Sequence, residues 1–435
     1  METSFLEQET TRYHSLDALR ALALLLGIVF HAAESFCPER WSWAVVDPQA
    51  HWIFAAFQHT LHSFRMEVFF LIAGFFGHLV YHRHGFRAFV RHRTKRILVP
   101  FIVGWIVLYP AMILIWIWGR MEMGRPDLLG LPPALEGLTT LQIWIGHFIT
   151  GNFLRDGFSL LHLWFLYDLL LLYVAALAGR WLWTQLDRSG RLTKWADRAV
   201  ARTLESPWRI TILAFLTMPL LAMMGGWVRT PNQSLVPDLP VLLTYGVFFG
   251  LGWMIHRQSR LLPLLRKRWM LNLEIGLALA GVTFFGREIS GFLDPSGQFS
   301  NLLHLLFLLF YSLMMWSLVF GFSGLVLTFC REESHVWRYV ADASYWLYLV
   351  HLILVVPLQI LVFETAWPGA IKYLAINLAA FPLLFLSYHY LVRTTFIGEQ
   401  LNGRRFPRAG LSGAAPWLRK SWRRLLAVQG SGGSE

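Results

Sequence analysis

Apolar stretches of about 18 residues or more recur along the whole chain, each long enough to form a helix that crosses a bilayer. Only 15% of the residues are charged, while 56% are hydrophobic, whereas ordinary globular proteins are roughly 25% charged. This excludes a nuclear, secreted or cytosolic globular protein. We predict an all-α fold, a polytopic transmembrane helix bundle with about ten spans. The predicted spans are 16–36, 62–80, 97–118, 160–183, 208–226, 239–256, 270–287, 301–329, 343–364 and 370–392.

The basic residues indicate how the chain is threaded. The formal net charge is +12, from 38 Lys and Arg against 26 Asp and Glu, which on a soluble protein would suggest nucleic acid binding. Here the basic residues collect in alternate loops, as the positive-inside rule expects of cytoplasmic segments. We therefore predict that both termini are cytoplasmic and that the partner is the lipid bilayer, not nucleic acid. The basic segments are 83–96, 188–202, 257–268 and the region after 392.

Three segments are expected from this pattern. They are a cytoplasmic N-terminal segment at 1–15, a transmembrane domain at 16–397 and a basic, disordered cytoplasmic tail at 398–435. A cleaved signal peptide is the alternative interpretation of the first span. Outside the spans, Leu141–Phe153 is amphipathic, which favours an interfacial or re-entrant helix.

Ionisable residues inside the spans are candidates for a functional site, because burying them in hydrocarbon costs at least ~2.5 kcal/mol each. On the first span, Arg20 and His31 lie eleven residues apart. That is close to three helical turns, so both lie on one face with a rise of roughly 16 Å. The alternatives are that Arg20 anchors the span at lipid phosphates and that His31 only packs in the core.

Polar residues of other spans are expected at the same outer level as His31. Arg65 and Glu67 open the second span, and His162 and Trp164 open the fourth. Each residue alone is also consistent with a position at the membrane rim. Together they predict a pocket, because helix bundles build ligand sites from side chains of several helices.

At the cytoplasmic start of the third span, Arg93 and Arg96 are spaced i, i+3, so a helical segment would place both guanidinium groups on one face. At a helix N-terminus this pair would bind phosphate, which Arg contacts bidentately. An ordinary positive-inside cluster is the alternative. The sequence has no Gly-x-Ser-x-Gly, His-Glu-x-x-His or phosphate-loop pattern, so we expect neither a metal nor serine chemistry.

Five motifs occur in order along the spans: Ser15-Leu-Asp-Ala-Leu-Arg20 with His31, Ser63-Phe-Arg-Met-Glu-Val-Phe-Phe-Leu-Ile-Ala-Gly-Phe-Phe76, Arg93-x-x-Arg96, His162-Leu-Trp-Phe-Leu166, and Ala343-Ser-Tyr-Trp-Leu-Tyr-Leu-Val-His351. In this combination the chain resembles the acyltransferase-3 family of integral membrane O-acyltransferases. Two positions depart from the family pattern. Many members have Ser where this chain has Ala73, and glucan-modifying members carry an amide where it has Glu67.

The resemblance implies an enzyme of the bacterial inner membrane that transfers an acyl group, succinyl favoured over acetyl. The donor would be a cytoplasmic acyl-CoA acting as co-substrate, with no permanently bound cofactor. The acceptor would be a hydroxyl of a periplasmic or cell-surface glucan or other glycan. The alternative function is a transporter or flippase for a glycan precursor or lipid, since membrane-depth His, Arg and Glu suit transport equally well. The sequence leaves open whether the chain forms a homodimer.

The expected roles of the site residues follow from the resemblance and from their depth in the membrane. His31 is the expected general base, because an imidazole titrates near neutral pH, and Glu67 is expected to orient or charge-balance His31 or Arg65. Trp164 offers a face on which a sugar ring can stack. The expected donor-binding residues are Arg20, Arg93 and Arg96, and the expected acceptor or pocket residues are Arg65, His162, Trp164, Tyr345, Tyr348 and His351.

Overall fold

A computed structural model describes residues 13–38, 42–125, 127, 137–151, 158–293, 300–403, 405 and 406, and for 287–293 and 300 the backbone alone. Within these residues all regular structure is helical, and eight stretches are long and apolar enough to cross a membrane. The predicted all-α polytopic bundle is confirmed. The predicted basic tail lies outside the described residues except for 398–403, 405 and 406.

Fourteen α-helices are present in the described part of the chain. They are α1 (His14–Ala32), α2 (Trp52–His62), α3 (Arg65–Arg93), α4 (Val99–Glu122), α5 (Thr140–Ile149), α6 (Trp164–Leu186), α7 (Arg191–Glu205), α8 (Arg209–Ala222), α9 (Leu239–Arg257), α10 (Trp269–Leu293), α11 (Ser300–Phe329), α12 (His335–Phe363), α13 (Gly369–Ser387) and α14 (Phe396–Asn402). Short 3₁₀ segments occur at Glu34–Phe36, Leu161–Leu163 and Ser259–Arg266, and π-helical turns at Thr94–Leu98 and Tyr388–Val392. The chain divides into two compact units between Phe385 and Leu386, and the site lies in the first.

The stretch Trp52–Glu122 contains 71 residues, and one continuous helix of that length would extend about 105 Å. Gly85, with φ 73° and ψ −179°, interrupts α3. The guanidinium of Arg93 then donates to the carbonyl of Phe76 over 3.0 Å, although 17 residues of straight helix would separate them by about 25 Å. The chain therefore reverses at Gly85, and the stretch contains two of the ten predicted spans.

Each predicted span coincides with a helix, but several boundaries differ. Helix α2 was not predicted, and the second span begins after it, at Arg65. Helix α1 ends at Ala32, four residues before the predicted boundary. Helix α8 has 14 residues and is shorter than the other spans. The segment predicted as an interfacial or re-entrant helix forms α5, which begins at a capping box of Thr139 and Gln142.

Close packing of α3 against α9 fixes the helix that carries Arg65 and Glu67. A Cβ on Gly74 would overlap the carbonyl oxygen of Phe249, and one on Gly252 would overlap that of Leu71. Small residues allow this approach, which increases van der Waals contact between helices in a bilayer. Helix α1 lies against α3, α11 and α12, so the helices that carry most of the predicted site residues are neighbours.

Replacing Gly252 tests this close approach. Gly252→Ala should destabilise the protein by about 1–3 kcal/mol or prevent folding, because the added methyl group meets backbone atoms that cannot rotate away. Gly250→Ala is the matched control, since a Cβ at Gly250 meets nothing within 4 Å. Both substitutions gain the same helix propensity, about 1 kcal/mol. Thermal unfolding in detergent measures both variants. Equal melting temperatures for the two would contradict the packing.

Candidate functional site

A cavity of about 990 Å³ lies among α1, α3, α4, α5 and α12 and the start of α6. This volume is at the upper end of the range found for small-molecule sites. Six of the eleven predicted site residues line it: His31, Arg65, His162, Trp164, Tyr348 and His351. The lining also includes one face of α5, with Gln142 and His147. The structure thus brings most of the predicted pocket residues together.

His31 lies in the last turn of α1, where the chain passes into the 3₁₀ segment Glu34–Phe36. The tighter 3₁₀ turn brings Glu34 back toward the imidazole, and Nδ1 of His31 is 3.9 Å from a carboxylate oxygen of Glu34. The indole of Trp43 stacks parallel to the imidazole at a centroid distance of 5.7 Å. His31 is therefore held between an aromatic face and a buried carboxylate.

Gln359 of α12 ties these groups together. Its amide nitrogen donates to the carbonyls of His31, over 2.9 Å, and of Ala32, over 3.1 Å, and its amide oxygen accepts from the Trp43 indole over 2.9 Å. These carbonyls belong to the last turn of α1, where backbone acceptors have no partner within the helix. The side chain is 1% exposed. Gln359 therefore fixes both the end of α1 and the ring that stacks on His31.

Two further histidines face the cavity in defined tautomers. Nδ1 of His351 lies 2.7 Å from the carbonyl of Tyr348, and Nε2 of His162 lies 3.0 Å from the carbonyl of Leu349. A carbonyl only accepts, so each of these nitrogens carries the proton. In the neutral rings the lone pairs are on Nε2 of His351 and Nδ1 of His162, and neither atom has a hydrogen-bond partner among the described residues. The His351 ring is 5.1 Å from that of His31.

Arg65 and Glu67 both lie in the first turn of α3, but their surroundings differ. Arg65 lines the cavity, whereas Glu67 is fully buried beside it and is not among the described residues that line the cavity. Glu67 interacts electrostatically with Arg65, one of the two partners predicted for it. The carboxylate next to His31, the other predicted partner, belongs to Glu34.

The predicted donor-binding arginines meet at a second place, which we call the cationic cluster (Arg20, Arg93 and Arg96). Arg20 and Arg93 both contact Phe76. The guanidinium of Arg20 lies 5.7 Å from its ring centroid, and Arg93 donates to its carbonyl. Arg96 interacts electrostatically with both other arginines. The cluster is separated from His31 by eleven residues of α1, a rise of roughly 16 Å.

The backbone around the cationic cluster differs from the expected helix N-terminus. The chain is helical from 86 onward and passes through the π-helical turn Thr94–Leu98 directly into α4. The helix therefore begins next to Gly85, several residues before Arg93, and the pair lies inside it. Any phosphate bound here would be held by guanidinium groups and not by free backbone N–H groups.

A row of rings on one face of α12 connects the cationic cluster with the cavity. Tyr345 interacts electrostatically with Arg96 and stacks on Tyr348 at 6.4 Å. Tyr348 in turn stacks on His351 at 6.3 Å, and its hydroxyl donates to the carbonyl of His162 over 2.8 Å. Tyr345 is not among the cavity-lining residues, but it begins the row that ends beside His31.

Three residues of the site were missed by the sequence analysis: Glu34, Trp43 and Gln359. Glu34 follows His31 by three positions, a spacing that places both on one face. Gln359 is an amide within the apolar second half of α12, so the argument applied to ionisable residues at membrane depth would have found it. Among the described residues, no group of three or more His, Cys, Asp or Glu is arranged to hold a metal ion.

The chain matches one family of known proteins over most of its length. The acyltransferase-3 family model, described as an acyltransferase domain, matches residues 13–389. The chain is similar to glucans biosynthesis protein C of Salmonella paratyphi A, with 25% identity over 352 residues, which cover 78% of this chain and 81% of the relative. The protein of the same name from Escherichia coli strain SMS-3-5 / SECEC is 29% identical over 159 residues, 32% of this chain and 40% of the relative. No solved structure matches the chain.

The family match extends from the start of α1 through α13 and includes every predicted site residue. It decides between the two functions expected from the sequence, acyl transfer and transport, in favour of acyl transfer. The chain belongs to the acyltransferase-3 family and is a multi-pass membrane acyltransferase.

Proposed function

We propose that this enzyme transfers a succinyl group, in preference to acetyl, from a cytoplasmic acyl-CoA to a hydroxyl of a periplasmic or cell-surface glucan or other glycan. It would act in the bacterial inner membrane with both termini in the cytoplasm. The observation that carries the proposal is the position of His31, which lines the large cavity and is joined to the cationic cluster by the ring row of α12. The names of the relatives support a glucan acceptor.

His31 is the proposed general base. It takes the proton from the acceptor hydroxyl as that oxygen attacks the thioester carbonyl carbon. The C–S bond then breaks, and the imidazolium returns the proton to the leaving thiolate, so no net proton is gained or lost. Glu34, 3.9 Å from Nδ1 of His31, stabilises the imidazolium that exists between the two transfers. With both substrates bound, the rings of Trp43 and His351 beside His31 would limit the access of water to the thioester.

The cationic cluster is the proposed site for the phosphate groups of the donor. Guanidinium groups bind phosphate oxygens bidentately. The three guanidinium groups of the cluster are close enough to act electrostatically on one another. The long arm of coenzyme A would extend from the cluster along Tyr345, Tyr348 and His351 toward His31. Arg20 and His31 on one face of α1 form the opposite side of this path.

The acceptor is proposed to enter the cavity from the side of α5. Trp43, Trp116 and Trp164 line the cavity and offer flat apolar faces of the kind that stack on sugar rings. Polar groups of α5, including Gln142 and His147, line the same side and can hydrogen-bond sugar hydroxyls. A glycan chain would therefore lie in the cavity along the lining faces of α4 and α5, with one hydroxyl at His31.

Removing the imidazole tests the proposed base. His31→Ala should lower kcat by about 10²- to 10⁴-fold, the usual contribution of a general base, while the melting temperature changes little. His304→Ala is the control, since His304 is an exposed histidine and should leave the rate unchanged. Mass spectrometry of succinylated glycan formed by purified protein gives the rate. Wild-type acylation by folded His31→Ala protein would show that another group is the base.

Removing Gln359 tests the positioning of His31. Gln359→Leu should lower kcat by about 10²-fold with little change in donor KM, because a displacement of the order of 1 Å at the reacting groups is enough for such a loss. Trp43→Phe, which keeps the stacked ring but loses the indole N–H, should have a smaller effect. Activity is measured per folded molecule, counted by size-exclusion chromatography. If folded Gln359→Leu protein keeps the wild-type kcat, the residue has only a structural role.

The donor site is tested by replacing Arg93 and Arg96 together with Gln. We expect donor binding to weaken strongly and acceptor KM to change little, with partial rescue by Lys, which lacks the bidentate fork. Added salt should weaken wild-type binding moderately, because it screens the attraction between the phosphate groups and these partly buried guanidinium groups. The matched control is Arg87→Gln with Arg91→Gln, an exposed pair on the same helical segment. Calorimetric titration with acetyl-, succinyl- and free coenzyme A measures binding. Equal loss in both double variants would indicate a general charge effect and no specific phosphate site.

A further inference from the structure

Arg65 presents a buried guanidinium to the cavity. The residue is 8% exposed, and its guanidinium carbon lies 4.5 Å from the centroid of the Phe30 ring. Its Nη1 occupies the space beside Gly27, where a Cβ would stand 2.7 Å away. Phe30 and Gly27 both belong to α1. The side chain is therefore held by a cation–π contact and by the absence of a side chain at Gly27.

The guanidinium lacks the protein partners that a buried charge normally has. Its Nε has no hydrogen-bond partner among the described residues. No described carboxylate is within the 4.0 Å ion-pair distance, and Glu67 and Glu34 act on it only at longer range. An arginine carries five N–H donors, and a buried charge without close partners is strongly unfavourable. An anion bound in the cavity would supply the missing acceptors.

The position of Arg65 relates this anion to the reaction. The His31 ring lies 5.0 Å from the Phe30 ring on which the guanidinium rests, so His31 and Arg65 contact the same phenyl ring. In a four-carbon dicarboxylic acyl group the thioester carbon and the carboxylate carbon are about 4 Å apart. A substrate that reacts at His31 can therefore also place a charged group against Arg65.

We propose that Arg65 forms an anion subsite that binds a carboxylate or phosphate group carried by one of the two substrates. The inference rests on the proposed function, because it takes His31 as the reaction centre. The fork of the guanidinium matches either group bidentately. The charged group has two sources. It belongs either to an acyl chain that ends in a carboxylate or to an anionic substituent on the acceptor glycan.

The variants must separate loss of the subsite from loss of folding. Arg65→Gln alone would leave Glu67 buried beside a neutral side chain, which is itself destabilising. The double variant Arg65→Gln with Glu67→Gln removes both ionisable groups. The change at Glu67 preserves the size of the side chain, and the change at Arg65 shortens it. Glu67→Gln alone is the matched control that retains the guanidinium. Gly27→Ala is a second route, because it displaces the guanidinium without removing it.

Three combinations of four substrates distinguish the two sources. Succinyl-CoA is compared with butyryl-CoA, a neutral donor of equal chain length, on a neutral glucose tetrasaccharide. The same tetrasaccharide carrying one 6-phosphate is compared with the neutral form, using butyryl-CoA. We expect the double variant to lose about 10- to 100-fold in kcat/KM for the charged substrate and less than about threefold for the neutral pair, while Glu67→Gln keeps the wild-type preference. A loss with the charged donor identifies the acyl chain, and a loss with the charged glycan identifies the acceptor.

Binding of the same four substrates, measured by calorimetry, keeps the inference separate from the proposed function. If wild-type protein transfers no acyl group but binds a charged substrate more tightly than its neutral counterpart, and the double variant does not, the proposed reaction fails and the subsite stands. Unchanged preference in the double variant and in Gly27→Ala, in both rate and binding, overturns the subsite. A uniform loss for charged and neutral substrates by folded protein also overturns it.

Discussion

Hydrocarbon cannot form hydrogen bonds, and this constraint governs where polar groups occur in the chain. Backbone groups are satisfied within helices, so polar side chains at membrane depth are stable only between helices or along a cavity. The last turn of α1 shows the effect directly. The carbonyls of His31 and Ala32 accept from Gln359 of α12, and the oxygen of the same amide accepts from the indole of Trp43. A single buried side chain thus links the helix end, the stacked indole and His31.

Helical periodicity accounts for what the sequence could predict. The eleven-residue spacing places Arg20 and His31 on one face of α1 because α1 is continuous over that range. Likewise Tyr345, Tyr348 and His351 recur every three residues on α12 and stack as a row. The length of each apolar stretch predicted the spans because the rise per residue of a helix is fixed. These features depend on local geometry, which a sequence specifies well.

Contacts between segments that are distant in the chain were harder to predict from the sequence. Glu67 was expected to orient or charge-balance His31 or Arg65. By position along the chain, both Glu67 and Glu34 are at a depth in the membrane that suits this role. The spacing of three residues and the 3₁₀ turn after Ala32 together place Glu34 next to the imidazole, and the sequence alone does not show that the chain keeps a helical turn beyond the end of α1. The reversal at Gly85, which brings Arg93 beside Phe76 and Arg20, depends on one residue with positive φ. A glycine between two apolar stretches permits such a turn without requiring it.

The short length of α8 has a consequence for the lipid around the protein. Its 14 residues extend only about 21 Å, against a hydrocarbon thickness of about 30 Å. Arg209 fixes the start of the helix by donating to the carbonyls of Leu264 and Lys267, and the Trp316 indole donates to the hydroxyl of Thr217 in its middle. These contacts fix α8 against its neighbours. A short span is accommodated in a bilayer by local thinning, by snorkelling of flanking side chains or by association with other helices. Helix α8 contacts α9, and α9 packs on α3, so the short span belongs to the same packed group of helices as Arg65.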